Sequence, residues 1–481
     1  MKILSPGCRI LRPPAAIRAG RASLSAIAML TSLATHAADG AAPAQRPPLQ
    51  TNRWQEDWSA LADPALRTES LDPLKYIPLS DTDPARYLSL GLTLRERAES
   101  NDAASFGAGA AHRDRYLLQR LQVHADLHLT SHLRVFTQLE DARAWRKTSA
   151  SSVDRNPLDL RLAFAEYTRS TALGTFKARI GRQDFAFDLQ RYVSSRDGPN
   201  VRQSFDAVWA DWETTNWRVN GFVSRPVQYL DGRPFDDHSG DAWRFDTLRV
   251  ERHVLGANEL SAYVARYDRA AARYGDAIGA EHRDILDARF AGKRSDIDWD
   301  VEAMGQDGHV GAKAIRAWAA GARMGYTFGE TDWQPRIGVQ FDAASGDRRS
   351  GDGTLGTFNP LFPNGYYFSL AGYTGDANLV HAKPSVTLRP ASNLTLLIAA
   401  GLVWRQTVAD AIYVQPNVPV AGTVGKGRRW TGAYGQLRAD YVIDRHTTCA
   451  LEAVRYDVGR TLQDSGGHDS TYVGAEAKVM W

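Results

Sequence analysis

Hydrophobic and polar residues alternate one for one through most of this chain. In "YLSLGLTLRERAE", residues 87–99, Leu88, Leu90, Leu92 and Leu94 form one face. Ser89, Gly91, Thr93, Arg95, Arg97 and Glu99 form the other. A period of two is strand geometry, because successive side chains point to opposite faces. In the next segment Leu117, Leu121, Val123, Ala125, Leu127 and Leu129 alternate with Leu118, Arg120, Gln122, His124, Asp126 and His128. After the turn "TSH", Leu133, Val135 and Leu139 stand opposite Arg134, Gln138 and Glu140. The same reading predicts strands near 158–168, 174–184, 205–213, 216–225, 243–253, 258–267, 284–292, 296–305, 315–328, 333–345, 376–390, 392–406, 431–443, 446–458 and 470–481, about 18 in all. The last of them keeps Val473, Ala475, Ala477, Val479 and Trp481 on one face.

The connections differ by side. Short polar turns ("TSH", "TTN", "RSD", "DRHT") alternate with long Gly/Asp-rich loops such as "NDAASFGAGAAHRD" and the stretch from Ala343 to Asp376. That asymmetry is the pattern of an outer-membrane barrel, with short periplasmic turns and long extracellular loops. A soluble sandwich of this many strands would carry two very wide sheets with edges to protect. A parallel β-helix would show a repeat of 20–30 residues, and none is visible. In a bilayer every backbone N–H and C=O must be paired, so the sheet closes on itself, apolar face to lipid and polar face to the lumen. The fold class expected is therefore all-β, a transmembrane antiparallel β-barrel of about 18 strands. Tyr87, Trp145, Trp217, Trp299, Trp404 and Trp481 fall at or near strand ends, where interfacial aromatics belong.

Composition refines the picture at the N-terminus. The formal charge of the 481 residues is +3, but Lys2, Arg9, Arg12, Arg18 and Arg21 have no acidic partner in the first 37 positions. Without that segment the charge is −2, which is not a nucleic-acid-binding composition. Those basic residues precede the apolar run Leu24–Ala34, and Thr35 and Ala37 offer the small residues of a cleavage site. The segment reads as a secretory signal cleaved before Ala38; the run is too short for a membrane anchor. Cys8 would leave with it, and Cys449 alone cannot form an intrachain disulfide. The domain reading is a signal peptide over 1–37, a flexible linker and periplasmic N-terminal segment over 38–86, and a barrel over 87–481.

By alternation the lumen receives Arg95, Arg97, Arg120, Lys177, Arg179, Arg405 and Lys478, together with Glu99, Asp126, Glu140, Asp300, Glu302, Asp342 and Glu476. A guanidinium matches a carboxylate bidentately, so such a ladder can hand a polyanion from site to site. The same charges can instead pair with each other and brace a wet barrel. Residues 181–206, with Arg182, Arg191, Arg196 and Arg202, are too long for a simple turn. They form either a loop folded into the lumen as a constriction or an exposed extracellular loop. Asp184 and Asp188 stand among these arginines and can mute their field. The loop 343–363 holds Asp347 and Asp352 among glycines, but not at EF-hand spacing, and reads as a gate or rim loop rather than a Ca²⁺ site. His124, Asp126 and His128 share the lumen face with no nucleophile motif beside them, so they read as polar lining and not as a catalytic group. No phosphate-binding or dinucleotide fingerprint occurs, and no cofactor is expected.

"ARIGRQDFAFDLQR", "RDGPNVRQSFDAV" and "ASGD…GTFNPLFPNGYYF…GDANLVHAKPSVTLRP" resemble the alginate-export family of outer-membrane porins. The resemblance runs from about Asn52 to Trp481. Its most specific parts are Gly181–Gln183, Asn200–Asp206 and Phe358–Pro363. It implies an 18-stranded monomeric barrel with a narrow arginine-rich lumen passing an anionic polyuronate. The function expected is an outer-membrane channel for anionic solutes, with export of an anionic polysaccharide such as alginate first. A general or small organic-anion porin is the second reading, and a barrel enzyme is the reading from another class. Outer-membrane lipid surrounds such a barrel, and periplasmic export partners or a gradient would supply any drive, since the chain encodes no energy source.

Overall fold

The computed structural model describes residues 45–108, 113–254 and 258–481. The expected signal peptide and the start of the expected linker lie outside the described residues. Eighteen long strands form one antiparallel sheet. They are β1 (Tyr87–Asn101), β2 (Asp114–His128), β3 (Leu133–Trp145), β4 (Asn156–Thr171), β5 (Gly174–Gln183) and β6 (Phe205–Glu213). Then follow β7 (Trp217–Pro226), β8 (Trp243–Val254), β9 (Asn258–Tyr274), β10 (Ala277–Arg294), β11 (Ile297–Val310) and β12 (Lys313–Thr327). The last are β13 (Arg336–Ala344), β14 (Leu379–Ala391), β15 (Leu394–Trp404), β16 (Trp430–Val442), β17 (Thr447–Val458) and β18 (Ser470–Met480). Each strand pairs with the next, and β18 pairs with β1 from Thr93↔Met480 to Asn101↔Tyr472, which closes the barrel. Closure satisfies the backbone donors and acceptors that lipid cannot. Every strand expected from the alternation has its counterpart.

The two faces are those the alternation implies. On β1 the buried side chains are Ser89, Thr93, Arg95, Arg97 and Glu99, and the leucines face outward. On β18 Val473, Ala475, Ala477 and Val479 face out. Ile180, Leu286 and Leu451 are about 60% exposed, as lipid-facing side chains are in a chain without its membrane.

Three features differ from the expectation. Strands β9 and β10 are far longer than 258–267 and 284–292, and they meet in the two-residue hairpin Gly275–Asp276 on the long-loop rim. Their upper halves carry Arg266, Asp268, His282 and Asp284 on the outer face, joined by the Arg266–Asp268 ion pair and by hydrogen bonds of His282 with Asp268 and Asp284. Above the lipid the outer face meets water, so apolar alternation stops while pairing continues. Second, Tyr87 is not an interfacial aromatic. It is buried, stacked on Tyr76 and on His128 with ring centroids 5.0 and 4.2 Å apart. Third, the lumen is not polar throughout. Phe205, Phe222, Phe245, Tyr263, Tyr267, Tyr434 and Tyr456 belong to one large buried cluster on the inside of the extracellular half.

Candidate functional site in the barrel lumen

Loop 184–204 joins β5 to β6, yet it crosses the lumen from wall to wall. At one end the main-chain carbonyl of Asp197 accepts a hydrogen bond from Arg95 at 2.7 Å, and its carboxylate pairs with Arg120 at 2.6 Å. At the other end the Asp188 carboxylate takes Arg249 and Arg289 at 2.7 and 2.8 Å. Between them Arg191 pairs with Glu302, lies 3.5 Å from Asp300 and 3.7 Å from Asp342, and donates to the Tyr367 hydroxyl at 2.6 Å. Its guanidinium lies flat on β12 because Gly321 is there; a Cβ would sit 2.4 Å from Arg191 Nε. Near the root, Asp184 pairs with Arg161 at 2.7 Å. Burial pushes the Asp184 carboxyl up, but Arg161 and Arg202 hold it below the ordinary carboxylate range.

A second inserted loop, 345–378, runs beside the first. Phe362 N donates to Tyr192 O and Ser194 N donates to Phe362 O, both at 2.9 Å, so the loops share a short parallel bridge. Phe362 is fully buried, with Phe205 at 5.0 Å, Phe245 at 5.2 Å and Trp243 at 5.4 Å between ring centroids. The aromatic inner wall is therefore the seat of these loops. This explains why Phe and Tyr replace polar residues on the lumen face there: apolar rings lose water only if something covers them.

The sequence-predicted residues fall into four groups. Arg95, Arg97, Arg120 and Arg179 face the lumen and are buried. Arg97 bridges Glu99, Glu452 and Glu476 at 2.5, 2.5 and 3.0 Å. Arg179 pairs with Glu166 and is sandwiched by Trp54 and Phe164 at 4.1 and 4.4 Å. Lys177 and Lys478 also face inward, half-buried near the periplasmic rim, with no ion pair among the described residues. Arg191, Arg196 and Arg202 sit on the inserted loop; Arg196 donates to Leu361 O at 3.5 Å and lies 5.7 Å from the Phe362 ring centroid. Two do not line the lumen. Arg182 lies on the outer side of β5, one residue after inward-facing Gly181, and pairs with Asp206 at 2.9 Å. Arg405 follows β15, and its guanidinium is consumed by carbonyls of its own loop, among them Asp410, Thr423 and Arg428 at 3.2, 2.7 and 2.8 Å. His124 and His128 pack at the periplasmic mouth, His128 against Asp126 at 3.3 Å.

Arg161, Arg249, Arg289, Arg323 and Lys383 also face the lumen and were not anticipated. Arg249 was legible, since Leu248 and Val250 beside it face lipid. Arg323 was not: on β12 the inward face begins with apolar Ile315 and the outward face with exposed Arg316, so hydrophobicity points the wrong way. Arg323 and Lys383 stand level on two strands with Gln340 between them, in the register Arg323↔Gln340↔Lys383. Arg323 Nε donates to Gln340 at 3.0 Å and its guanidinium lies 4.5 Å from the Tyr367 ring centroid. Lys383 Nζ donates to the carbonyls of Tyr367 and Phe368 at 3.1 and 2.8 Å. Neither makes an ion pair among the described residues, whereas the wall arginines Arg95, Arg97, Arg120, Arg161, Arg179, Arg249 and Arg289 all do.

Similarity to known proteins agrees with this architecture. No curated protein sequence matches the chain. Among solved structures, Pseudomonas aeruginosa OccK2 (OpdF) in complex with glucuronate is similar at a TM-score of 0.54 and 12% identity, covering 82% of this chain and 98% of that one. The P. aeruginosa outer membrane protein OpdK gives 0.52 at 9% identity, covering 82% and 99%. OccK5 (OpdH) of the same organism gives 0.51 at 11%, covering 81% and 97%. At such identities the likeness shows the fold, a closed outer-membrane porin barrel. A family model described as alginate export matches residues 86–476, nearly the whole barrel. The chain is an outer-membrane β-barrel channel and belongs to the alginate export family.

Proposed function

We propose that this channel passes anionic solutes, with an anionic polyuronate such as alginate as the first cargo, moving outward through the lumen. The observation that carries the reading is the Arg323–Lys383 pair. On a lumen wall whose arginines are otherwise paired with carboxylates, these two cations face the interior with only neutral hydrogen-bond partners. A buried or half-buried cation without a counter-ion attracts one, and a carboxylate bridging two such groups gains charge-assisted hydrogen bonds from both. Loop 184–204 supports the same reading. A peptide loop carrying Asp184, Asp188 and Asp197 already lies across the lumen with each carboxylate on wall arginines. A polyuronate carries carboxylates along a chain in the same manner and would exchange for them step by step, each contact weak enough to release. The reading keeps the channel a monomer.

A small organic-anion porin is the second reading. It is favoured by OccK2, whose solved complex holds glucuronate, a single uronate unit. The test is a double variant, Arg323→Gln with Lys383→Gln, in planar bilayers. Losing two charge-assisted contacts, each about 1.5 kcal/mol, should weaken block by oligouronate roughly a hundredfold and shift the reversal potential toward cations. If oligouronate blocks the variant and the unaltered channel alike, the pair is not a cargo site. Block by monomeric glucuronate as strong as by the oligomer would favour the small-anion reading.

A further inference from the structure

Residues 45–86, expected as a linker and periplasmic segment, are docked at the periplasmic mouth and reach inside it. Arg53 is buried, donates to Leu92 O at 3.0 Å and to the lumen-facing Thr93 Oγ1 at 3.3 Å, and holds Trp481 O at 3.0 Å. Glu56 neutralises it at 2.7 Å. Lys75 caps the ring of Trp481 at 4.7 Å and donates to Leu90 O at 2.8 Å, close above Gly91. The Trp481 ring thus serves this docking rather than the membrane edge alone.

The segment also grips the crossing loop. Trp54 packs edge-on against Phe164 at 6.4 Å, beneath Arg179, and its indole N–H donates to Asp184 at 2.8 Å. Asn52 Oδ1 accepts from Arg202 at 2.8 Å. Asp184 and Arg202 are the two ends of loop 184–204, and they lie 3.6 Å apart. One short stretch thus reaches along the lumen wall from β1 to β4–β6 and clasps both ends of the loop that forms the constriction.

We propose that residues 52–58 are a latch: docked, they cover the β1–β6 side of the periplasmic mouth and hold loop 184–204 across the lumen, and their release widens the channel from the periplasmic side. The proposal rests on the channel reading above and adds its regulation. Cargo for export arrives at that face, so the latch stands where cargo must first displace something. Docking is also pH-dependent. Arg46, Arg53, Glu56, Asp72 and His124 surround Lys75, and burial, then Arg53, lowers its ammonium to about 7. Released, it returns toward 10.5. The docked state then binds fewer protons between those values, so docking strengthens as pH rises from 7 to 10 and carries its full penalty below 7.

The test reads access rather than current. Thr93→Cys is placed under Arg53 in a Cys449→Ser background, in the refolded full-length mature chain. Its labelling rate with a membrane-impermeant thiol reagent is compared with and without Asn52→Ala plus Trp54→Ala. The latch predicts labelling at least tenfold faster in the released protein, and a higher single-channel conductance. Trp54→Phe keeps the ring and loses the donor, and should fall between. Labelling at equal rates in all three proteins, each shown to be a closed barrel by its heat-modifiable gel mobility, would overturn the latch. Faster labelling with no current in any of them would uphold the latch and count against the channel reading instead.

Discussion

Arg191→Ala is expected to free loop 184–204 from the far wall while leaving the barrel closed. The guanidinium is buried among Glu302, Asp300 and Asp342 and is bonded to Tyr367. Deleting one side of a buried charge cluster leaves the other side unpaired in low dielectric, at about 3–5 kcal/mol. That is enough to undock a loop but acts on nothing that closes the sheet, whose strands pair along their whole length. Hydrogen exchange should rise in 184–204 and in 358–364 together, because the loops share the Val193–Phe362 bridge. Single-channel conductance should rise with it. Arg191→Lys should recover little, since one ammonium cannot face three carboxylates and a hydroxyl at once. Arg182→Ala is the control: its partner Asp206 lies with it on the outer face, so neither conductance nor exchange within the lumen should move. Equal effects from the two variants would show that the loop is not anchored by Arg191.

Phe362→Ala should give the second large effect, on loop 345–378. The ring fills a site made by Phe205, Trp243, Phe245 and Tyr267, all from the inner wall. A buried Phe→Ala change costs about 3–5 kcal/mol, less where neighbours can collapse. Four rigid rings held on three strands collapse poorly, so the upper end of that range is expected. Limited proteolysis from the extracellular side should cut within 345–378 in the variant and spare it in the unaltered protein. Phe362→Leu should restore most of the protection. A variant as resistant as the parent would mean that the bridge to Tyr192 and Ser194, and not the aromatic seat, holds this loop.

The barrel was legible because lipid imposes one rule on every strand it touches. Leu88 to Leu94 and Val473 to Val479 obey it, and so most strands could be placed within a few residues. The rule lapses where lipid ends. Above it, Arg266 and Asp268 face water, and the ends of β9 and β10 vanished from the pattern. Inside it, inward residues answer to whatever fills the lumen. Charged positions such as Arg95, Arg97 and Arg120 could be read by parity alone, but nothing in the alternation marks Phe205, Phe222 and Phe245 as a seat for inserted loops. Arg182 was counted with the loop 181–206, but the strand runs on to Gln183 and alternation turns Arg182 outward. Arg405 was assigned by continuing β15 one residue beyond its end at Trp404. The docking of Trp54 and Asn52 had no periodic signal, because an irregular segment leaves none.

The most direct measurement is single-channel recording of the refolded mature protein in a planar bilayer, with reversal potentials in a salt gradient and oligouronate added to one side. The account predicts an anion-selective current that oligouronate blocks in proportion to its concentration. A current that is unselective or cation-selective, and indifferent to oligouronate, would leave the barrel standing and contradict the anionic cargo.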